Sequence, residues 1–292
     1  MTSPSSPSVT QVLLAANTRH SSITDQIPAI EAAFAKRSVT VQQWNEGDDP
    51  DSAVDGIDVV VALGGDGYMM NLMRSLNYPV VPFYGVNHGR VGFLMNEMME
   101  AEELAEVVAT NGFRVNSYPV LEGCLKLENG ESRVLRAVND FVLERASGQT
   151  VHLRTSIDDV LLNEYSGDGL IVATPGGSTA YSLAAGGPVV HHDVPGMIVT
   201  PLNPHRPVQF HSLQFPIFLP LHSTVNVVAE YHDKRPVRCT ADGTQVDGVV
   251  EMSISDSGRR VTLLRMSDYQ FIDTLVRKII GRREENVEEL QE

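Results

Sequence analysis

The chain has 292 residues, enough for about two domains that each bury a core. Its 37 acidic side chains outnumber its 22 basic ones, which gives a formal net charge of −15. A surface of that charge repels phosphate backbones, so we expect no general binding of nucleic acid. Two cysteines without CxxC spacing, no secretory signal pattern and no apolar run of about 18 residues predict a cytoplasmic protein that does not enter the membrane.

The first hundred residues alternate between strand and helix patterns, which is typical of a parallel α/β sheet. Apolar or extended runs predict strands at 12–16, 39–44, 59–63 and 80–84. Apolar residues at helical spacing, or dense Leu, Met and Ala, predict helices at 23–34, 68–76 and 96–108. The acidic stretch 46–58 predicts a solvated loop. We place this α/β domain at residues 10–112.

The pattern changes near residue 112, after which short β-rich runs follow one another. The runs are separated by residue pairs that favour tight turns: Asn129-Gly130, Asp242-Gly243 and Asp247-Gly248. A mainly antiparallel β domain is therefore predicted over 113–266. A helix with an acidic tail is predicted over 267–292.

The strand at 59–63 runs directly into a Gly-Gly-Asp-Gly turn, Gly64–Gly67, and then into a helix. Glycines let a ligand approach the backbone without meeting a Cβ atom, and the N–H groups of a helix start favour an anion. An Asp in such a turn can accept a proton from a hydroxyl group, or orient the hydroxyl or a metal. The other interpretation is a tight turn in which Asp66 caps the helix.

Two polar residues, Asn139-Asp140, interrupt an apolar strand pattern. Adjacent side chains point to opposite faces of a strand, so we expect one of them to face the core or a binding site. A buried polar group needs a hydrogen-bond partner. A ligand-binding pair and a structural β-bulge both fit this pattern.

A second glycine-rich segment, 168–188, predicts a strand at Leu170–Ala173, a glycine turn, and a helix from Ser178 or Thr179. Hydroxyl groups at the helix start, with Tyr181 as a stacking surface, suit a ligand that carries phosphate and a base. In the alternative interpretation, Ser178 caps the helix and Tyr181 packs against the protein. Two such turns predict two phosphate-bearing ligands or one long ligand.

Histidines follow this segment at His191 and His192, with Asp193 beside them. Adjacent side chains on a strand point to opposite sides, and the histidines form no HxH or HxxxH pair. We therefore interpret them as surface or turn residues and predict no metal ligands from the protein.

Taken in order, these motifs resemble those of NAD kinases. That family has a GGDG turn, an Asn- and Gly-rich stretch ending in Gly-Phe-Leu, an Asn-Glu or Asn-Asp pair and a DG…TPxGSTAYSLxxGGP segment. In this chain the motifs stand at Gly64–Gly67, Gly85–Leu94, Asn139-Asp140 and Asp168–Pro188. The last segment is highly specific, whereas GGDG alone is shared with phosphofructokinases and lipid kinases.

The resemblance implies that the γ-phosphoryl group of ATP is transferred, with Mg²⁺ or another divalent cation, to the 2′-hydroxyl of the adenosine ribose of NAD, which gives NADP. It also implies a Rossmann-like α/β domain, a β-rich, sandwich-like C-terminal domain, a C-terminal helix that returns to the first domain, and a homodimer or homotetramer. Phosphoryl transfer mostly requires positioning and charge neutralisation, which glycine turns, one carboxylate and Mg²⁺ can supply.

By position, the resemblance makes Asp66 the general base or orienting group for the 2′-hydroxyl. The residues it implies for NAD binding are Gly67, Asn139, Asp140, Asp168, Thr179, Ala180 and Tyr181. Those it implies for the phosphate or ATP turn are Gly64, Gly65 and Asn87. Weaker candidates are Gly176, Ser178, Ser182 and Asp242.

Three features depart from the family pattern. Tyr68 stands where Thr often follows GGDG, and Gly176 replaces a residue that usually carries a hydroxyl group. Either His205 or His211 takes the place of the family histidine. Two alternatives stay open: a lipid kinase of the diacylglycerol or sphingosine type, and a non-catalytic NAD-binding sensor. The acidity of the chain argues against the lipid kinase.

Overall fold

The computed structural model describes residues 9–89, 92–110, 112–205 and 212–281. The chain divides into two units, unit 1 with residues 1–116 and 262–292, and unit 2 with residues 117–261. None of the helices among the described residues has the length and apolar character needed to span a membrane.

The strands of the described residues are β1 Gln11–Ala16, β2 Thr40–Gln43, β3 Val59–Gly64, β4 Phe83–Asn87, β5 Phe113–Leu127, β6 Ser132–Ala137, β7 Asp140–Arg145, β8 Val151–Ile157, β9 Val160–Gly167, β10 Gly169–Ala173, β11 Gly196–Leu202, β12 Ile217–Pro220, β13 Val225–Glu230, β14 Val237–Ala241, β15 Thr244–Asp247 and β16 Val249–Met266. The α-helices are α1 Ser21–Thr24, α2 Ile27–Ala35, α3 Pro50–Val54, α4 Asp66–Ser75, α5 Ala101–Ala109, α6 Tyr181–Ala184 and α7 Phe271–Leu275. A 3-10 helix covers Gly176–Thr179, and a π-helix covers Val276–Ile280.

Unit 1 is built on a parallel sheet in the order β2-β1-β3-β4, and the end of β16 pairs in parallel with β4. Every residue of β3 is buried, as expected for a strand covered on both faces. The core of this unit includes Phe34, Leu63, Tyr84 and Leu104. The parallel α/β sheet predicted from the sequence is confirmed.

Unit 2 contains two antiparallel sheets. One has the order β12-β11-β10-β7-β14-β15, and in the other β13 lies between β16 and β8, with β9 next to β8. Side chains from both sheets share one core, among them Leu143 and Val172 from the first and Leu153 and Val227 from the second. This is the packing of a β-sandwich, so the β-rich fold class is confirmed.

Two elements near the N-terminus differ from their predictions. The single helix predicted over 23–34 is split into α1 and α2, and a proline lies in the first turn of α2, where its missing N–H costs nothing. The acidic stretch 46–58 is not only loop, since it contains α3. The side chain of Asp49 caps α3 by accepting a hydrogen bond from the Ser52 N–H at 2.9 Å.

Two further elements begin later than predicted. β4 begins at Phe83, and Val80 is 91% exposed. α5 begins at Ala101, after Glu100 in an extended conformation. The side chain of Asn96, which was predicted to begin this helix, is buried. Its amide donates hydrogen bonds to the carbonyl groups of Gly85 at 3.1 Å and Leu264 at 2.9 Å.

Candidate functional site

The GGDG turn of unit 1 places a carboxyl group at the first residue of α4. Gly65 precedes the helix in an extended conformation, and no side chain caps the helix. The Asp66 carboxylate instead accepts hydrogen bonds from the backbone N–H groups of Phe93 at 2.7 Å and Leu94 at 3.0 Å. The capping interpretation is therefore wrong, and a neighbouring loop orients Asp66.

The charge of Asp66 is balanced by its surroundings. Burial raises the pKa of Asp66 above its usual value. The two backbone hydrogen bonds, and then the positive charges of Lys278 and Arg265, act in the opposite direction. A carboxylate fixed in this way can accept a proton from a hydroxyl group placed beside it.

Two cations near Asp66 come from the last part of unit 1, and the sequence analysis missed both. Arg265, in β16, is fully buried and donates a hydrogen bond to the Met95 carbonyl at 2.9 Å. Lys278, in the π-helix, donates a hydrogen bond to the Gly92 carbonyl. Both cations thus hold the loop that orients Asp66. No sequence signal distinguishes them, because Arg and Lys in such positions are ordinarily solvent-exposed.

Asn87 shapes the loop that follows β4. Its side-chain oxygen accepts a hydrogen bond from the Gly89 N–H at 3.0 Å. A Cβ atom at Gly92 would lie 2.9 Å from Cγ of Asn87, and one at Gly65 would lie 3.7 Å from Cα of Gly89. The loop therefore passes close to the GGDG turn. Residues 90–91 of the same motif lie outside the described residues.

A cavity of about 480 Å³ opens beside the GGDG turn. It lies where β1 and β2 end, and open α/β sheets bind ligands at the carboxyl ends of their strands. Its lining includes Asn17, Arg19, Trp44, Gly67 and Tyr68. The Tyr68 ring covers Gly64, where a Cβ atom would lie 2.8 Å from its Cδ1. Burial, with a smaller effect of Glu46, raises the pKa of Tyr68 to about 12.

In unit 2, Asp242 fixes the backbone of the Asn139-Asp140 pair. Its carboxylate accepts hydrogen bonds from the N–H groups of Val138 at 2.6 Å, Asn139 at 3.0 Å and Asp140 at 3.2 Å. Burial raises the pKa of Asp242 to about 7 and that of Asp140 to about 6. The side chain of Asp242 is therefore used to position the pair.

Asn139 lies where two of the predicted motifs meet. Its backbone carbonyl accepts a hydrogen bond from the Thr174 N–H at 2.8 Å, and a Cβ atom at Gly177 would lie 2.6 Å from the carbon of that carbonyl. The side-chain Oδ1 of Asn139 is buried and has no hydrogen-bond partner within the part of the chain that the structure describes. A buried oxygen of this kind suits a donor group of a ligand.

The helix predicted from Ser178 or Thr179 is not continuous. The 3-10 helix ends at Thr179, and α6 begins at Tyr181. Between them Ala180 has φ −98° and ψ −132°, which is outside the helical region. The prediction of one helix start that offers its N–H groups to an anion is therefore wrong at this segment.

The hydroxyl groups of this segment bond to the protein itself. Ser178 is buried, and its Oγ accepts a hydrogen bond from the Val190 N–H at 3.0 Å. The hydroxyls of Ser182 and Thr200, also buried, are 2.9 Å apart. Tyr181, in contrast, is 46% exposed. Its ring is available for stacking, whereas the serine hydroxyls are not available to a ligand.

Asp168 lies apart from the other candidates of unit 2. β10 pairs with β7 so that Ala173, at the far end of β10 from Asp168, faces Asp140. At about 3.3 Å per residue, the length of β10 separates Asp168 from Asp140 by roughly 17 Å. Asp168 forms an ion pair with Arg145 at 2.9 Å and accepts a hydrogen bond from the Asn203 amide at 2.8 Å. The structure does not bring it into the cluster around Asn139.

The histidines of unit 2 differ from their predicted arrangement. The rings of His191 and His192 do not point to opposite sides but are stacked, with centroids 4.3 Å apart. They precede β11 and lie outside the strands, so the alternation of a strand does not apply. His205 donates its backbone N–H to the Ser166 carbonyl at 2.8 Å, and His211 lies outside the described residues.

Two family models match the chain. The ATP-NAD kinase N-terminal domain matches residues 8–112, and the ATP-NAD kinase C-terminal domain matches residues 138–265. A NAD kinase from Rhizobium meliloti (strain 1021) is 39% identical over 243 residues, which cover 82% of this chain and 89% of that protein. The chain belongs to the NAD kinase family. The resemblance drawn from the motifs is confirmed, and the comparisons support neither the lipid kinase nor the non-catalytic sensor.

Further proteins are similar to this chain in sequence or in fold. A NAD kinase from Clostridium beijerinckii is 31% identical and covers 84% of this chain and 86% of its own. The crystal structure of yeast NADH kinase complexed with NADH has a TM-score of 0.80 at 22% identity and covers 94% of this chain and 88% of its own. The crystal structure of an NAD kinase from Archaeoglobus fulgidus in complex with ATP has a TM-score of 0.74 at 24% identity. The match covers 93% of this chain and 99% of the other. These two structures show that the fold is shared.

Proposed function

We propose that this chain transfers the γ-phosphoryl group of ATP to the 2′-hydroxyl of the adenosine ribose of NAD, which gives NADP. The observation that carries the proposal is the Asp66 carboxylate, held at the start of α4 by the N–H groups of Phe93 and Leu94. A carboxylate in this position can take the hydroxyl proton while the hydroxyl oxygen attacks the γ-phosphorus, the bond from that phosphorus to the β,γ-bridging oxygen breaks, and ADP leaves. The motifs and the family of the chain support the same reaction.

In unit 1 we assign the phosphates of ATP to the turn formed by Gly64, Gly65 and Asn87, and we assign Gly67 to the NAD side. Without side chains at these glycines, the backbone N–H groups can approach phosphate oxygens closely. The adjacent cavity of about 480 Å³ supports this assignment because it borders Gly67 and lies at the carboxyl ends of β1 and β2.

In unit 2 we assign NAD binding to Asn139, Asp140, Asp168, Thr179, Ala180 and Tyr181. The buried Oδ1 of Asn139 and the exposed ring of Tyr181 support these roles. Asp168 lies about one strand length away, so we assign it to a different part of the ligand or to a second copy of the chain. We give Gly176, Ser178, Ser182 and Asp242 the role of shaping the backbone around the site.

The residues of the GGDG turn also fit a Mg²⁺ ion. Mg²⁺ in phosphoryl-transfer enzymes is bound by one or two carboxylates together with substrate phosphates. Each oxygen of the Asp66 carboxylate accepts one hydrogen bond and keeps a further lone pair, so Asp66 would hold the ion with the phosphates of ATP. When bound, Mg²⁺ neutralises charge on the phosphates.

We also propose a homodimer or homotetramer in the cytoplasm. Unit 2 exposes large apolar side chains, including Val160 at 70% and Phe215 at 64%, which a second copy would cover. The cysteines Cys124 and Cys239 are not joined in a disulfide, which agrees with a reducing compartment. Light scattering during size-exclusion chromatography would give the subunit number.

The decisive experiment incubates the protein with ATP, Mg²⁺ and NAD and measures NADP. We expect Asp66→Asn to keep the fold and NAD binding but to lose turnover by about 10²–10⁴-fold, as for a general base. Asp51→Asn, an exposed aspartate of α3, serves as the matched control and should be close to wild type. Near-normal turnover of Asp66→Asn would remove Asp66 from its role, and wild-type protein that binds NAD without forming NADP would overturn the function.

A further inference from the structure

We propose that the cavity beside the GGDG turn binds the base and the ribose of the phosphoryl donor, with the base stacked on Trp44. The inference rests on the proposed function, and it makes the donor a nucleoside triphosphate and not inorganic polyphosphate. The cavity has a volume of about 480 Å³, and sites for small organic ligands measure about 300–1,000 Å³. A bare phosphate chain would leave most of its walls unused.

The cavity runs along one face of α4. Residues at helical spacing on this helix line it: Gly67, Tyr68, Asn71, Leu72 and Ser75. At 1.5 Å per residue, the face from Gly67 to Ser75 is about 12 Å long. One end of the cavity therefore meets the turn to which we assign the phosphates of the donor, and the rest leaves room for a nucleoside beyond them.

The parallel sheet places Trp44 on the wall of the cavity. β2 ends at Gln43, and the backbone N–H of Trp44 donates to the Leu14 carbonyl of β1 at 2.9 Å. This bond fixes the residue at the carboxyl ends of the strands, where open α/β sheets bind ligands. Trp44 is partly buried and lines the cavity. An indole ring in such a place gives a base a large flat surface on which to stack.

Tyr68 supplies a second aromatic wall, nearer to the phosphate turn. Its ring covers Gly64, where a Cβ atom would lie 2.8 Å from the Cδ1 of Tyr68. Within the part of the chain that the structure describes, neither Trp44 nor Tyr68 stacks on another aromatic ring. A base that enters the cavity therefore does not have to displace a ring that is already stacked there.

Two exposed charged side chains of the cavity fit a nucleotide better than a phosphate chain. Arg19, which follows β1, lines the cavity, and a guanidinium group binds phosphate oxygens. Glu46, which follows β2, also lines it. A carboxylate repels phosphate but accepts hydrogen bonds from ribose hydroxyls, as it does after a strand of other α/β nucleotide sites. The cavity thus offers one group for each part of a nucleotide.

The fluorescence of Trp44 gives a direct test, because it is the only tryptophan of the chain. We expect the non-hydrolysable ATP analogue AMP-PNP, with Mg²⁺, to quench this fluorescence to saturation. Inorganic tripolyphosphate should leave it unchanged. Prior saturation with NAD should not prevent the quenching by AMP-PNP, because NAD is assigned to another site. Equal quenching by tripolyphosphate, no quenching by AMP-PNP, or its loss in the presence of NAD would overturn the proposal.

Steady-state kinetics of NADP formation test the same subsite through substitutions. We expect Trp44→Leu to raise the KM for ATP by about 5- to 100-fold with kcat close to wild type, since stacking on the base is lost. Trp44→Phe keeps a ring and should change this KM by less than about 3-fold. Tyr231→Leu, at an aromatic residue of unit 2 that is 63% exposed, serves as the matched control. Calorimetric binding of NAD checks that each variant is folded.

The outcomes separate this subsite from the reaction itself. If AMP-PNP quenches Trp44 in a protein that forms no NADP, the proposed function is overturned and the subsite stands. If NADP forms but Trp44→Leu has the KM of wild type for ATP, the subsite is overturned and the reaction stands. The same holds if tripolyphosphate supports NADP formation as well as ATP does.

Discussion

The two glycine-rich turns of this chain use glycine for different purposes. In unit 1, a Cβ atom at Gly67 would meet nothing within 4 Å, and the turn leads into a ten-residue helix that begins with Asp66. In unit 2, the space at Gly177 is filled by the Asn139 carbonyl, and the turn leads into a four-residue 3-10 helix. The first turn therefore leaves space for a ligand, whereas the space beside the second turn is occupied by the protein backbone.

The same sequence pattern therefore has two physical meanings. Anion binding by the N–H groups of a helix start applies to α4, because that helix is regular and its turn is open. It does not apply to the second turn, where the helix breaks at Ala180 and the serine hydroxyls bond internally. In unit 2 the groups that a ligand can reach are the Asn139 oxygen and the Tyr181 ring.

Replacing one glycine of each turn with alanine should separate these roles most strongly. Gly177→Ala forces a Cβ atom against the Asn139 carbonyl, and we expect the free energy of unfolding to fall by roughly 3 kcal/mol. Gly67→Ala should keep or raise stability, because Ala is favoured over Gly inside a helix by about 0.5–1 kcal/mol. Urea unfolding of both variants measures the difference. Equal destabilisation would contradict the contrast between the turns.

The buried carboxyl groups of unit 2 should make its stability depend on pH. The pKa of Asp140 is raised to about 6 by burial, so between about pH 4 and 6 the folded state holds a proton that the unfolded chain has released. The contribution of Asp140 to stability therefore falls as pH rises through that range. Asp140→Asn should remove this loss and raise the free energy of unfolding at pH 8 by roughly 2–3 kcal/mol relative to wild type.

Urea unfolding at pH 4.5 and pH 8 checks this expectation. The free energy of unfolding of Asp140→Asn should exceed that of wild type by more at pH 8 than at pH 4.5. Asp233→Asn, at an exposed position, serves as the substitution control. If the difference in free energy of unfolding between Asp140→Asn and wild type became smaller as pH rises, the fold would instead stabilise the ionised form of Asp140.

In unit 1, in contrast, positively charged side chains lower the pKa of the Asp66 carboxyl group. Lys278 lowers the pKa of Asp66 and bonds to the loop that orients it. Lys278→Met should therefore raise the pKa of Asp66 and shift the acid limb of the kcat profile to higher pH. A hydrogen bond from a charged group contributes about 1.5–3 kcal/mol, so we expect a loss in kcat of roughly 10–100-fold at neutral pH.

The neighbouring residue offers a matched control. Arg277 pairs with Glu97 and Asp273 at the surface, so Arg277→Met should leave the pH profile in place. A similar shift in both variants would mean that the general charge of the C-terminal helix acts on Asp66 and not the contact of Lys278.

The smallest effect is expected at the departure from the family pattern beside the first turn. Tyr68→Thr uncovers Gly64 and enlarges the adjacent cavity, and we expect a change of about 1 kcal/mol or less in stability. The KM for ATP should change while kcat stays close to wild type. Tyr68→Phe, which keeps the ring, should match wild type in KM; a change as large as that of Tyr68→Thr would show that the hydroxyl matters.

Much of the fold could be predicted because its signals are local. The apolar run of β3, the glycines that follow it and the turn pairs Asn129-Gly130 and Asp242-Gly243 each act over a few residues, and all appear in the structure. The tight turn predicted at Asp247-Gly248 is wrong, since β15 and β16 on either side of it do not pair with each other. The errors occurred where distant contacts decide. Asn96 is drawn out of the predicted helix by Gly85 and Leu264, and the hydroxyl of Ser178 bonds to Val190 in place of capping a helix.

The family, the fold class and the position of the carboxylate at the centre of the proposed reaction could be predicted from the motifs, because short motifs encode turns and strands directly. What holds that carboxylate depends on long-range contacts. Arg265 and Lys278 reach the 92–95 loop from the other end of the chain, and the ring of His192 stacks on that of Tyr118. Such contacts arise from packing between segments far apart in sequence, and no local pattern records them.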